Sequence, residues 1–144
     1  MNIIAKGDVS EIICLGFARG DYFLEGIIEA AKREKIVHGA VVSGMGTFDR
    51  CRMHFTTNPG LPPHDEFVEL EGALELVSVH GMIVNGKPHL HMTVGDMQRT
   101  WAGHLEEGCR VLYLAEVVIA RFRDLPLERV EREYGIRELI RSTK

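Results

Sequence analysis

Short apolar runs, closed by glycine, proline or charged residues, dominate the first 125 residues of the 144-residue chain and predict strands. Glu11–Phe17 is a run of strand length stopped by Arg19-Gly20-Asp21. Asp21 then suits the N-cap of a helix reaching about Lys35, in which Phe23, Leu24, Ile27, Ile28 and Ala31 recur at helical spacing on one face. Lys32, Arg33 and Lys35 would sit in its last turn, where cations suit the negative end of the helix dipole. Gly39–Ser43 reads as a buried strand ending at Gly44-Met45-Gly46. That Gly-x-Gly has no third glycine, no Lys-Ser/Thr and no helix behind it, so a strand–turn–strand corner leading into an extended Thr47–Phe55 fits better than a phosphate loop.

Asn58–Pro63 carries three prolines and predicts a surface loop. Glu66–Val84 is extended, with a break near Gly72, and Asn85-Gly86 is a hairpin signal leading into the strand Pro88–Val94. Arg110–Phe122 is apolar on both alternating faces, as in a central strand. Leu125-Pro126 opens a stretch whose Glu128/Arg132 and Arg129/Glu133 spacing predicts a C-terminal helix, broken by Gly135. The sum is an α+β domain over residues 1–144: a mostly antiparallel sheet, one main helix, a core at about 11–122 and a helical tail at 125–142.

Composition narrows the class. Hydrophobic residues make up 45% and charged residues 26%, which excludes disorder, collagen-like repeats and a disulfide scaffold. The 17 basic residues stand against 21 acidic ones, a net charge of −4. A chain that grips nucleic acid through its phosphates carries a basic excess or stripe, and neither is present. Cys14, Cys51 and Cys109 form no C-x-x-C pair and read as small buried hydrophobes. With no signal-peptide pattern and no apolar run near 18 residues, the expectation is a cytoplasmic protein that does not enter a membrane.

Chemistry concentrates between Pro88 and His104. Residues two apart on a strand share a face, so His89 and His91 project side by side. The chain must then turn within Gly95–Arg99. A loop of Met97-Gln98, or of Asp96–Arg99, sets His91 directly opposite His104, whereas a three- or five-residue loop sends His104 to the other face. Opposed residues have Cβ atoms about 4.5–5.5 Å apart, within reach of one ion. Three imidazoles suit zinc and leave its fourth position to water or a ligand; other divalent first-row ions share the preference. His80 is a candidate fourth ligand or neighbour, or a sheet histidine; His54 is a weaker candidate, and His64 belongs to the proline loop. Glu116 interrupts the apolar strand and is the candidate catalytic carboxylate: a group orienting a ligating imidazole, a general base, or one half of a structural ion pair.

Arg19-Gly20-Asp21, Ser43-Gly44-Met45-Gly46, Glu75-Leu76-Val77-Ser78, His89-Leu90-His91, Gly103-His104-Leu105 and Ala115-Glu116-Val117, in this order, resemble the plants-and-prokaryotes conserved (PPC) domain family. The resemblance spans about Glu11 to Phe122. It implies a compact α+β fold, a homotrimer and, as in prokaryotic members, a metal site on His89, His91 and His104. The fold is also similar to that of acetolactate decarboxylase, a three-histidine zinc enzyme, which transfers no activity. Plant members add a minor-groove AT-hook, a segment not found in these 144 residues, and a Gly-Arg-Phe-Glu-Ile-Leu partner motif. Here the matching positions are Gly72-Ala73-Leu74-Glu75-Leu76-Val77, with Ala73 in place of the arginine.

Three functions are therefore in competition. The first is a trimeric zinc-binding protein whose open site handles a small ligand, as a hydrolase or lyase would. The second is a DNA-associated regulator, and the third a trimeric interaction module with structural histidines. The first ranks highest on the residues.

Overall fold

A computed structural model describes residues 1–143. The elements run β1 (Asp8–Ala18), α1 (Phe23–Arg33), β2 (His38–Thr56), β3 (Asp65–Val84), β4 (Lys87–Gly95), β5 (Thr100–Leu105), β6 (Arg110–Arg123), β7 (Leu127–Glu131), a 3-10 turn (Glu133–Gly135) and β8 (Arg137–Arg141). The six strands β1–β6 form one antiparallel sheet in the order β1-β6-β2-β3-β4-β5. β6 takes the interior place predicted for it. The sheet curls until β5 returns to the far end of β2, where Met53 faces Leu105 and His54 faces His104. β2, β3, β4 and β5 thus close into a ring.

Closure needs two long, bent strands. β2 passes through Gly44-Met45-Gly46 without breaking, so the predicted corner is a bend within one strand. Its register slips against β6 and β3 between Gly46 and Arg50, and such bulges increase twist and turn a strand. β3 likewise runs through Gly72, whose positive φ of 133° marks a kink where a break was expected. Asn85-Gly86 makes the predicted hairpin turn, both residues having positive φ.

The core lies between α1 and the concave face of the sheet. Phe23, Ile27, Ala30 and Ala31 of α1 are buried, and the Phe23 ring sits 5.0 Å from that of Phe17 and 5.1 Å from that of Phe48. Each such ring removed from water stabilises the fold by about 1.5–3 kcal/mol. The helix starts one residue later than predicted: Tyr22 is the N-cap, and Asp21 instead accepts a hydrogen bond from the Ala18 backbone N–H at 2.8 Å, closing the turn after β1. Cys51 and Cys109 are buried as expected, but Cys14 is exposed.

The predicted C-terminal helix does not form. Residues 127–141 make a two-stranded hairpin, β7–β8, turning at Tyr134 and Gly135, both with positive φ. Helical i,i+4 pairs contribute only about 0.2–0.5 kcal/mol each, and Gly135 leaves too short a helix to persist by itself. The hairpin buries Leu127 and pairs its charges across strands, Arg132 with Glu138 at 2.8 Å and Arg137 with Glu131 at 3.8 Å.

Candidate metal centre

Alternation decides which side chains reach the outer surface of the ring. Val79, Leu90, Met92, Met53 and Leu105 point inward and are buried, so the residues between or beside them point out. The loop between β4 and β5 is Asp96–Arg99, closed by the Asp96 N–H donating to the Arg99 carbonyl at 3.0 Å. The Asp96 carboxylate also accepts from the N–H groups of Gln98 and Arg99. This four-residue loop sets His91 directly opposite His104. His80 faces His91 from β3, and His54 faces His104 from β2. Four histidines on four strands therefore form one continuous cross-strand row, with His89 flanking His91.

Within this row, His89, His91 and His104 offer ligand nitrogens that all lie within 4.8 Å of one another. Their ring centroids are 4.7 Å (His89–His104), 5.1 Å (His91–His104) and 5.5 Å (His89–His91) apart. Around a tetrahedral zinc at about 2.0–2.1 Å the nitrogens would stand roughly 3.4 Å apart, so modest side-chain rotations complete the set. His54, His104 and Glu106 form a second group within the same limit. His54 Nδ1 lies 2.6 Å from Glu106 Oε1, and the His54 ring stacks on His104 at 4.3 Å. Glu106 is 4.0 Å from His104 Nε2, and Asp65 is 3.9 Å from His54 Nε2.

The electrostatics favour neutral imidazoles, the form that ligates metal. Burial, then the neighbouring His54, His89 and His91, push the His104 pKa down to about 4, against an opposing pull from Asp65. Burial also lowers His91, helped by His80 and His54. His89 is lowered by burial and then by Arg129.

Other predicted positions fall elsewhere. Glu116 is exposed on β6, opposite Gly16 and Met45, and belongs to neither histidine group. The premise that it is a costly buried carboxylate fails because the outer face of β6 is uncovered in the single chain. His64 is exposed and lies 3.0 Å from the Thr57 hydroxyl. The carboxylate beside the imidazoles is Glu106, which the sequence reading passed over. Its signal was available: the spacing that joins His89 to His91 also joins His104 to Glu106. The contact of His54 had no local signal, because it depends on β5 meeting β2. The Glu106 segment is held by Cys109, whose sulfur accepts from the Arg52 N–H at 3.2 Å and whose thiol lies 3.4 Å from the Glu106 carbonyl.

A model of the Plants and Prokaryotes Conserved (PCC) domain matches residues 4–123. The chain belongs to this family. The PCC fold recurs in a metal-containing protein of Archaeoglobus fulgidus (TM-score 0.82, 19% identity, 97% of this chain and 99% of that one). It recurs in a plant- and prokaryote-conserved protein of Pyrococcus horikoshii (TM-score 0.80, 23% identity, 96% of each chain). A candidate DNA-binding protein of Bacteroides thetaiotaomicron shares it too (TM-score 0.79, 17% identity, 95% and 97%). A remoter likeness joins it to a Staphylococcus aureus protein similar to alpha-acetolactate decarboxylase (TM-score 0.54, 14% identity, 81% and 53%). At these identities the likeness shows fold alone. Among curated proteins, 104 residues are 31% identical to the bifunctional protein GlmU of a Synechococcus strain, covering 72% of this chain. The chain spans about a seventh of that relative's length, 15%. No helix among the described residues of this PCC domain is long and apolar enough to cross a membrane.

Proposed function

We propose that this PCC-domain protein binds one divalent transition-metal ion, zinc by ligand type, through His89, His91 and His104, and presents its open position to a small-molecule ligand. The observation that carries this reading is the convergence of three imidazoles on one outward face, with nitrogens within 4.8 Å, in surroundings that keep them neutral. When bound, such an ion supplies a Lewis-acidic position for a ligand oxygen. The Glu106–His54 pair at 2.6 Å orients a ring that stacks on the ligand His104. The metal-containing description of the Archaeoglobus relative supports the same reading. Elemental analysis of protein purified without a histidine tag tests it. The expected result is about one ion per chain; protein that holds none, even after zinc is added back, sinks it.

We further propose that the working form is a homotrimer, as the family resemblance implies. The outer face of the sheet supports self-association: Leu114, Met45 and Val77 are 53%, 57% and 63% exposed, beside Cys14 and Val118 and around Glu116. A sheet face with this much exposed apolar surface is an association site. Sedimentation equilibrium should return three times the 16.2 kDa chain mass, and Met45→Glu with Leu114→Glu should shift it to the monomer. A wild-type monomer at micromolar concentration overturns the trimer. The DNA-associated reading draws on the description of a 17% identical neighbour, and the net charge of −4 works against it.

A further inference from the structure

On the His89 side of the metal centre, the C-terminal hairpin closes off a cavity of about 290 Å³. Its walls include Lys87 and His89 of β4, Arg129 and Glu131 of β7, and Arg137 of β8. Lys87 and His89 are two residues apart on β4, so the lysine shares the outward face that carries His89 and His91. Residues 127–141 lie beyond the 4–123 matched by the domain model, so the two arginines are a feature of this chain outside that match.

Arg129 makes no ion pair among the described residues, and its Nε is buried with no hydrogen-bond partner. A buried donor left unsatisfied is costly. A guanidinium presents a fork of donors matched to carboxylate or phosphate oxygens. Arg137 has a counter-charge, Glu131, but the two are 3.8 Å apart and largely exposed, a pairing that water weakens. Three cations therefore line the cavity against one carboxylate.

We infer that this cavity binds a small oxyanion, a carboxylate or a phosphate, gripped by the Arg129 fork and by Lys87, with its far end directed past His89 toward the metal. The contact with the metal rests on the metal reading above; the anion site itself does not. The ligand of the open position is then a small acid or phosphoester carrying a second oxygen donor. A neutral molecule would leave Arg129 unsatisfied.

The test is a titration of metal-free protein with inorganic phosphate and, separately, with succinate, following the Arg129 Nε–H resonance, and then a repeat with zinc-loaded protein. Saturable binding is expected in both forms and should be tighter with zinc; whichever probe binds more tightly identifies the source of the oxyanion. Arg129→Gln should weaken binding about tenfold or more, the worth of a charge-assisted hydrogen bond. Lys87→Gln, at an exposed position where the fold is not at risk, should weaken it about threefold. If neither probe saturates, or if both variants bind as wild type does, the anion site is overturned. If phosphate or succinate binds but zinc does not, the metal reading fails and the anion site stands.

Discussion

Replacing His104 with alanine should abolish metal binding, lowering affinity by more than about 100-fold. Loss of a group that merely orients a ligand already costs 10–100-fold, and His104 is the residue common to both clusters on the ring. It pairs with His91 on one side and with His54 on the other, so no neighbour can take its place without moving a strand. The same variant should change the acid response of the metal-free protein. Folded His104 titrates at about 4 and the unfolded side chain near its ordinary 6.5. Between these values the unfolded chain holds the extra proton, so folding stability falls as pH drops from about 6.5 to 4. His89 and His91, also lowered, add in the same direction. Thermal melts of metal-free wild type should decline across that window, and those of His104→Ala should decline less. Equal slopes, or a variant that still holds zinc, would remove His104 from the centre.

Gly81→Ala should cost about 2–5 kcal/mol, combining backbone strain with overpacking, and should weaken metal binding with it. Gly81 has a φ of 148°, and an added Cβ would lie 2.2 Å from the His89 carbonyl oxygen and 2.9 Å from the Leu90 Cα. Those are backbone atoms, which no side-chain rotation can clear. Gly81 pairs with Leu90, between the His80–His91 and Met82–His89 pairs, so relief requires β4 to move and take two ligands with it. At about 2–4 °C per kcal/mol, the melting temperature should fall by roughly 5–15 °C. Gly72→Ala is the control: its φ is also positive, at 133°, but nothing stands within 4 Å of the added carbon. It should cost only the conformational strain, about 1 kcal/mol. If Gly81→Ala melts like the Gly72 variant and keeps its metal, the close approach does not shape the site.

Both predictions depend on strand contacts that the sequence exposes unevenly. The His89–His91 pair follows from alternation alone, whereas the facing of His91 and His104 depends on the β4–β5 loop having an even number of residues, which the four-residue Asp96–Arg99 turn supplies. Glu106 could have been reached by the same alternation. His54 could not, because it lies 50 residues before His104 and meets it only where the sheet closes on itself. The exposure of Glu116 in the single chain is hidden for a related reason: apolar neighbours along a strand do not reveal which face of the sheet is covered. The tail misled through its charges: Arg132, at helical spacing from Glu128, pairs instead across the hairpin with Glu138.

The local terms in the sequence were therefore enough to determine the strand-rich α+β class, the main helix, the Asn85-Gly86 turn and the shared face of His89 and His91. Periodicity and turn chemistry act over a few residues and can be read directly. Only the tertiary structure decided the ring closure, the facing of His91 and His104, the addition of His54 to the row, the exposure of Glu116 and the meeting of Arg129 and His89 at one cavity. Each of these depends on how strand edges meet, and that is set by the summed burial of the core.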